Sequence, residues 1–427
     1  MENKFNVREG LLLNGYFFLK HLGQSDEKAF GLDKSDVEIE QVPLVYHRVE
    51  QVALTRLNQK WKMKNLSVFF ILTITTVSVW GQVINTATMD TTDFRFNGKV
   101  TVEGYLDSYY GYDFNKPSTG DRAYFVSMAR HNEITINLAY IGIKYSSSRL
   151  RGHFVPGFGT YINANYANEP FSLKNIVEAS AGVKLWHDKN LWMDVGVFGS
   201  PYTNESAISK DHLAYTRSFA PEYVPYYLSG VKLSFPISTK VNGYFYLLNG
   251  WQQIQDVNQN KSIGTQLEYR PSSAWLVNWN TYVGNEQSTT HMNFGTRYFT
   301  DVFFIYSKGK WSATGCYYIG LQKQNNMADA YWWQANIIGR YTITEKLSVT
   351  GRLEYFDDPD GVQSIPITNA SNFSSYSSSL GLNLKVAENI LFRAEGRTFL
   401  SSKEVYERSG AAVKNSNLLT TNVTLWF

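Results

Sequence analysis

Apolar side chains recur at every second position over most of the chain from residue 98 onward. Over residues 347–355 the two kinds of side chain separate completely between the two faces of an extended segment: Leu347, Val349, Leu353 and Tyr355 against Ser348, Thr350, Arg352 and Glu354. A period of two is that of a β-strand whose faces meet different surroundings, whereas a helix would repeat every 3.6 residues. The sequence therefore predicts an all-β protein.

Segments of about ten residues with this alternation predict about 16 strands. We expect them at residues 99–113, 131–145, 149–162, 175–187, 191–199, 226–236, 240–251, 262–270, 274–284, 295–306, 310–322, 332–342, 346–357, 375–386, 390–400 and 416–427.

The connections between these strands alternate in length. The short ones are residues 146–148, 187–190, 236–239, 270–273, 307–309, 344–345 and 387–389, and the long ones are 115–130, 200–225, 252–261, 287–293, 324–330, 358–374 and 401–415. A soluble β-sandwich or propeller also alternates, but its connections would not sort by length. We therefore predict a transmembrane antiparallel up-and-down β-barrel of about 16 strands, with apolar side chains outward and polar side chains inward.

Residues 63–81 have the form of a secretory signal peptide. Two lysines flank Met63, an apolar core runs from Leu66 to Trp80, and Gly81-Gln82 follows at the expected cleavage point. This core is shorter than the ~20 residues of a membrane-spanning helix. We expect residues 1–62 to be a mis-assigned upstream extension, 82–97 a short N-terminal lead and 98–427 the barrel. The alternative is a cytoplasmic extension followed by an uncleaved anchor.

The composition of the chain argues against several classes of function. The 40 basic and 37 acidic side chains leave a net charge of +3, which argues against a nucleic-acid partner. The 15% aromatic content excludes a disordered chain. The histidines show no spacing suited to a metal pair or to a nucleophile and its base. We therefore expect no cofactor, no metal and no enzymatic activity.

The polar faces of the predicted strands carry charges of both signs in similar numbers. We predict these residues to line a channel: Arg393, Glu395, Arg397, Arg352, Glu354, Arg340, Glu103 and Asp107. Because the signs nearly cancel, the pattern predicts weak ion selectivity. The cluster on residues 393–397 has two interpretations, a constriction with a transverse field or a ladder of paired charges that stabilises the wall.

The longest connection, residues 200–225, carries the candidates for a constriction loop: Glu205, Asp211, Arg217 and Glu222. Its Pro and aromatic residues favour an ordered loop that folds into the lumen, and the alternative is a loop that caps the outer mouth.

Tyr and Trp residues near strand ends, among them Tyr246, Tyr318 and Trp332, are best explained as interfacial girdles. A sugar-stacking track inside the lumen is the alternative interpretation.

Several segments resemble a known family. They are Lys99 to Tyr110, Gly199-Ser-Pro-Tyr-Thr-Asn-Glu-Ser206, and Tyr215-Thr-Arg-Ser-Phe-Ala-Pro with its continuation to Lys232. With these segments the chain resembles the OmpL-like β-barrel porins of Bacteroidota over residues 98–427. The terminal Phe427, with Leu425 and Val423 on the same face, resembles the signal read by the barrel assembly machinery.

The resemblance implies a porin in the outer membrane of a Gram-negative bacterium. We expect a water-filled channel for passive diffusion of small hydrophilic solutes with weak charge selectivity. The alternative is a plugged barrel whose extracellular loops bind a ligand or partner. The expected partners are outer-membrane lipids, the assembly machinery and the solutes, and a homo-oligomer is compatible with the sequence.

Overall fold

The computed structural model describes residues 98–427, and the predicted upstream extension, signal peptide and N-terminal lead lie outside the described residues. Within the described part, sixteen long strands form a closed antiparallel barrel. The predicted fold class is therefore confirmed. The same part contains no helix that is long and apolar enough to cross a membrane.

The strands of the barrel are β1 Lys99–Asp113, β2 Glu133–Ser146, β3 Leu150–Phe158, β4 Ile176–Lys184, β5 Trp192–Gly199, β6 Tyr227–Pro236, β7 Val241–Leu248, β8 Ser262–Ser272, β9 Trp275–Asn285, β10 Phe294–Lys308, β11 Trp311–Gln324, β12 Ala330–Thr342, β13 Leu347–Asp358, β14 Phe373–Ala387, β15 Ile390–Leu400 and β18 Asn415–Trp426. A separate hairpin joins β16 Tyr406–Arg408 to β17 Ala411–Val413. Two short helices, α1 Thr160–Asn165 and α2 Phe219–Glu222, and a 3₁₀ turn at Ser209–Asp211 lie in the connections.

The barrel closes where β18 pairs with β1. The pairing runs from Tyr105 opposite Trp426 to Asp113 opposite Leu418. The next residue, Phe427, exchanges two backbone hydrogen bonds with Gly104, each 3.1 Å long. Closure leaves no strand edge with unpaired amide groups, which a hydrocarbon environment would penalise strongly.

The two faces of the wall differ in the way the sequence predicts. On β13, Leu353 points outward with 63% of its surface exposed, whereas its neighbours Arg352 and Glu354 point inward and are buried. The same alternation runs around the barrel and gives an apolar outer surface and a polar inner one.

Short turns lie at one end of the barrel, here called the turn end, and long loops lie at the other, the loop end. The long loops are L1 (114–132), L2 (159–175), L3 (200–226), L4 (249–261), L5 (286–293), L6 (325–329), L7 (359–372) and L8 (401–414). The strand predicted at 149–162 ends at Phe158, because Gly159 takes a φ of +133° and α1 begins at the next residue. L2 is therefore a long connection that the sequence pattern missed.

Candidate functional site

Loop L3 lies inside the barrel and not over its mouth. It forms hydrogen bonds to several strands of the inner wall: the Thr203 amide donates to Asp301 on β10 at 2.6 Å. The Thr350 hydroxyl on β13 donates to the carbonyl of Leu213 at 2.9 Å. The Tyr215 hydroxyl donates to Asp107 on β1 at 3.2 Å. L3 therefore occupies the lumen, and the interpretation of this loop as an outer cap is wrong.

Four charges on β13 and β15 form a buried cluster behind L3, here called the wall cluster: Arg352, Glu354, Glu395 and Arg397. Arg397 donates to Glu354 at 2.5 Å, and Arg352 pairs with both Glu395 and Glu354. All four side chains are almost completely buried. Two positive and two negative charges cancel, which is the condition under which buried ions are tolerated.

The wall cluster holds the backbone of L3. The amide of Phe219 donates to Glu354 at 2.6 Å, and the amide of Thr216 donates to Glu395 at 2.7 Å. The guanidinium of Arg397 donates to the carbonyl of Arg217 at 2.6 Å. Each bond joins an ionised side chain to a backbone group, and such bonds are stronger than neutral ones. The cluster therefore fixes the position of the loop in the lumen.

A second anchor lies beside the first, on β15 and β1. Arg393 donates to the carbonyl and the hydroxyl of Ser209, both at 2.7 Å. The hydroxyl of Tyr105 lies 2.8 Å from that of Ser209. Asp107 also accepts hydrogen bonds from Asn137 and Asn422. These contacts attach the middle of L3 to the seam where the barrel closes.

The residues predicted to line a channel thus fall into two groups. Six lie buried behind L3 and are bonded to it or to one another: Arg393, Glu395, Arg397, Arg352, Glu354 and Asp107. The other two, Glu103 and Arg340, are half-buried near the turn end, where Glu103 pairs with Lys144 at 2.7 Å. The geometry of the first group fits the interpretation as paired wall charges, because L3 separates these side chains from open water.

The charged residues of L3 itself have different environments. Arg217 donates to three carbonyls of the same loop, those of Ser206, Tyr215 and Ala207. Asp211 is exposed beside Lys210. Glu222 accepts from the amide of Val126 in L1 at 2.7 Å and from Tyr226 at 2.9 Å. Arg217 therefore stabilises the fold of L3, while Glu222 links L3 to L1.

Glu205 and His212 are the titratable pair at the centre of L3. Glu205 accepts from the amide of Ser218 at 2.8 Å, and burial raises the pKa of its carboxyl. Burial, reinforced by Arg217 and Arg393, lowers the pKa of His212 well below its ordinary value. The Nε2 atom of His212 accepts from the amide of Ser206 at 2.8 Å, which requires an unprotonated ring nitrogen. The neutral imidazole is therefore part of the folded loop.

Towards the loop end, inward-facing rings of eight strands form a band that we call the aromatic collar. Its members are Tyr246, Tyr282, Phe299, Tyr318, Trp332, Phe356, Phe373 and Phe399. Phe219 of L3 is completely buried inside this band, with ring centroids 5.8 Å from Phe356, 6.1 Å from Phe373 and 5.9 Å from Phe399. L3 is thus held by apolar packing as well as by the wall cluster.

The collar corrects the interpretation of the aromatic residues as girdles. Tyr246, Tyr318 and Trp332 lie in the lumen, so the girdle interpretation is wrong for these three, whereas Trp279 and Tyr317 do face outward. The sequence does carry the signal, because the collar residues share the inward parity of their strands. Aromatic side chains on a polar face are unexpected in a water-filled lumen.

Two cavities lie on opposite sides of these buried layers. The loop-end cavity, of about 1120 Å³, is lined by residues of L1, L2, L3, L4, L5 and L7 together with Phe294 and Arg297 of β10. The turn-end cavity, of about 560 Å³, is lined chiefly by β2 to β7. Among the described residues, none lines both cavities. The buried cluster that contains Phe198, Tyr202 and Tyr246 extends from the lining of the turn-end cavity, at Phe198, to that of the loop-end cavity, at Tyr223.

The charges of the turn-end cavity are paired. Arg151 donates to Asp194 at 2.6 Å, and Lys232 lies 3.7 Å from the same carboxylate. His153 lies 2.5 Å from Glu178. Neither sign of charge predominates on this surface.

A closed membrane-type barrel with a polar inner face and a long loop folded into its lumen is a porin-like protein. The chain belongs to the family described as "Putative beta-barrel porin-2, OmpL-like", which matches residues 99–427. The family resemblance drawn from the sequence is confirmed.

Solved porin structures share this fold at low sequence identity. The anion-selective porin of Comamonas acidovorans is 10% identical, with a TM-score of 0.52 over 77% of this chain and 100% of that one. Salmonella typhi OmpF, in a complex with daunomycin, is 13% identical, with a TM-score of 0.56 over 78% and 99%. A trimer form of Vibrio cholerae OmpT is 14% identical, with a TM-score of 0.50 over 77% and 99%. At these identities the likeness concerns the fold alone.

A short stretch of the chain is similar to a different protein. The probable potassium transport system protein Kup of Flavobacterium johnsoniae is 45% identical over 58 residues, which are 14% of this chain and 9% of the transporter. The Kup protein of Flavobacterium psychrophilum is 47% identical over 49 residues, or 12% and 8%. The chain thus spans less than a tenth of these curated relatives, and the match does not extend their transport activity to it.

Proposed function

We propose that the protein is an outer-membrane channel for the passive diffusion of small hydrophilic solutes, with weak charge selectivity. The observation that carries the proposal is the position of L3 in the lumen, where its polar anchors lie on one half of the barrel wall. Its anchors lie on β1, β10, β13 and β15, while the turn-end cavity lies along β2 to β7. A loop in this position narrows the lumen and leaves the turn-end cavity, along β2 to β7, for solutes.

The proposed path enters the loop-end cavity and leaves through the turn-end cavity. Its narrowest part is the layer that contains Phe198, Tyr202 and Tyr246, where L3 approaches β5 and β7. An apolar layer of this kind admits water poorly, and hydrophobic constrictions are known to limit ion flow. We therefore expect a low conductance and a small size limit for solutes.

The proposed weak selectivity rests on the charges of the turn-end cavity, the inner part of this path. A ring of one sign would select ions of the other sign, whereas Arg151, Lys232 and Asp194 form one mixed group in the turn-end cavity. The wall cluster is neutral as a whole and is shielded by L3. Neither region supplies a strong field for cations or anions.

We infer that the turn end faces the periplasm and the loop end faces the outside of a Gram-negative cell, as in other bacterial barrels. The partners proposed with this orientation are outer-membrane lipids and the barrel assembly machinery, with Phe427 as the assembly signal. A homo-oligomer is part of the proposal, and the trimer form of the Vibrio cholerae protein supports it by analogy of fold alone.

A second candidate function is a plugged barrel whose loops bind a ligand or partner. One observation favours it: the two cavities share no lining residue among those described, because the layer between them is buried. A permeation measurement distinguishes the two functions, because a channel passes solutes and a plugged barrel does not.

The test is liposome swelling with the purified full-length protein and sugars of increasing size. The channel predicts swelling rates that fall steeply with solute mass. In planar bilayers under a potassium chloride gradient, it predicts reversal potentials close to zero. Heat-denatured protein in the same liposomes is the control for leakage. A folded barrel that permits neither swelling nor ion current would contradict the channel and favour the plugged barrel.

A further inference from the structure

Two opposite charges at the base of the loop-end cavity are close to each other but do not form an ion pair. Arg297 of β10 and Glu286 of L5 belong to the same hairpin and both line the cavity. They are 5% and 8% exposed, so both are more than nine-tenths buried. Among the described residues, no carboxylate lies within ion-pair distance of Arg297, and Glu286 has no basic partner.

Aromatic rings and one amide fix the guanidinium of Arg297. Its central carbon lies 5.0 Å from the ring centre of Trp251 and 5.2 Å from that of Trp332. Its Nε atom donates to Gln322 at 2.9 Å. Within the described part of the chain, the two terminal nitrogens make no hydrogen bond. They therefore remain available to an acceptor in the cavity.

Glu286 is fixed in a similar way by one neighbour. Its Oε1 atom accepts a hydrogen bond from the hydroxyl of Tyr282, and its Oε2 atom has no hydrogen-bond partner among the described residues. The other two carboxylates of the cavity differ. Glu169 accepts from Tyr227 and from two amides of L4, and Glu222 accepts from Val126 and Tyr226. Of the three carboxylates that line this cavity in the described part of the chain, Glu286 alone has an oxygen without a hydrogen bond.

We propose that Arg297 and Glu286 form a binding site for small zwitterionic solutes, such as free amino acids and short peptides. The carboxylate of the solute accepts from the terminal nitrogens of Arg297, and its ammonium group donates to Oε2 of Glu286. A simple anion or cation satisfies only one of the two buried groups. A neutral sugar neutralises neither charge, and the nearby faces of Trp251 are already occupied by Arg297 and Tyr202.

The size of the cavity suits this class. Its volume of about 1120 Å³ slightly exceeds the roughly 300–1,000 Å³ of small-molecule sites, which leaves space for a dipeptide. The site gives the proposed channel a solute class. Transport of these solutes rests on the proposed channel function, whereas their binding can be measured without transport.

The test is calorimetric titration of the purified full-length protein with four probes: glycylglycine, acetate, methylammonium and glucose. Two charge-assisted contacts predict that glycylglycine binds at least about tenfold more tightly than either single ion, and that glucose gives no measurable binding. Equal affinity for glycylglycine and for acetate or glucose would overturn the site, as would the absence of any binding.

Matched variants assign the two contacts. Arg297→Gln should weaken glycylglycine binding about tenfold or more and abolish the response to acetate, and Glu286→Gln should do the same for methylammonium. Lys323→Gln and Asp329→Asn change an exposed ion pair outside the cavity and should leave binding unaltered. If Arg297→Gln does not fold, Glu286→Gln decides alone. Unchanged glycylglycine affinity in the folded variants would refute the assignment.

Single-channel recording on the same preparation separates the two proposals. A silent barrel that binds glycylglycine contradicts the diffusion channel and leaves the site intact. A conducting barrel that binds none of the probes contradicts the site and leaves the channel intact.

Discussion

Replacement of Glu354 by Gln tests whether the wall cluster holds L3 in the lumen. The substitution keeps the size of the side chain and an oxygen that can accept from the amide of Phe219, but it removes the negative charge. In the native cluster two arginines face two glutamates, so Glu354→Gln leaves one uncompensated positive charge. Because the side chains of Arg352 and Arg397 are fully buried, water cannot screen it.

The size of the effect follows from this burial. Removal of one partner from a buried ion pair costs about 3–5 kcal/mol, because the remaining charge is buried without compensation. L3 can relieve part of that cost by moving away and admitting water to Arg397. Such movement gives up the hydrogen bonds of L3 and the packing of Phe219 in the collar. The variant should therefore lose stability, spend time with L3 displaced, or do both.

The assay combines single-channel recording with denaturant unfolding. We expect Glu354→Gln to give larger and noisier current steps than the native protein and a lower unfolding free energy. Glu345→Gln removes an exposed charge from the turn between β12 and β13 and should change neither. A folded Glu354→Gln barrel with native conductance, native noise and native stability would refute the role of the wall cluster.

Three further predictions concern other parts of the molecule. Burial lowers the pKa of His212 below its unfolded value of 6.5. The free energy of unfolding therefore decreases as the pH falls below 6.5, by at most about 1.4 kcal/mol per pH unit. The raised pKa of Glu205 acts in the opposite direction, since its contribution is lost as the pH rises above 4.5. His212→Gln should therefore weaken the acid sensitivity of the unfolding midpoint between pH 5 and 7, and an unchanged pH profile would contradict the neutral ring. Leu353→Arg places a charge on the outer surface and should lower the unfolding free energy in lipid by up to about 4 kcal/mol, whereas an arginine tolerated there without loss would contradict the assignment of that surface to lipid. Removal of Phe427 takes away both backbone hydrogen bonds to Gly104 and should reduce the amount of assembled barrel in the outer membrane, measured by heat-modifiable mobility, while native amounts would exclude an assembly role.

The barrel was predictable from the sequence because one rule governs nearly all of it. Alternation of apolar and polar residues fixes which side chains face lipid, and the lengths of the connections fix which end carries the loops. All sixteen strands lie close to their expected positions. The exceptions are local: Gly159 ends β3 early, and the hairpin of β16 and β17 lies inside a segment expected to be a loop.

The interior was less predictable, because its contacts join residues that are far apart in the chain. The hydrogen bond between Glu354 and the amide of Phe219 spans 135 positions, and no local sequence pattern predicts it. The alternation placed Arg393, Glu395 and Arg397 on the inner face, but it could not reveal that L3 covers them. Glu286 and Arg297 differ from other polar residues by being buried beside a cavity without an ion-pair partner, which only the folded chain reveals.

The aromatic collar shows a different limit. Tyr318 and Trp332 carry the inward parity, yet their chemistry is that of residues at the membrane interface, and the sequence interpretation followed the chemistry. The rings face inward because Phe219 and its neighbours in L3 supply an apolar surface for them. The strand period predicts the direction of these rings better than the residue type does.

The most direct test of the central claim compares the single-channel conductance of the native protein with that of a variant lacking residues 203–220, the part of L3 that carries Thr216 and Phe219. If L3 narrows the lumen, the native barrel gives small and weakly ion-selective steps, and the deletion raises the conductance several-fold. Equal conductance in the two folded barrels would place L3 outside the permeation path and contradict the account.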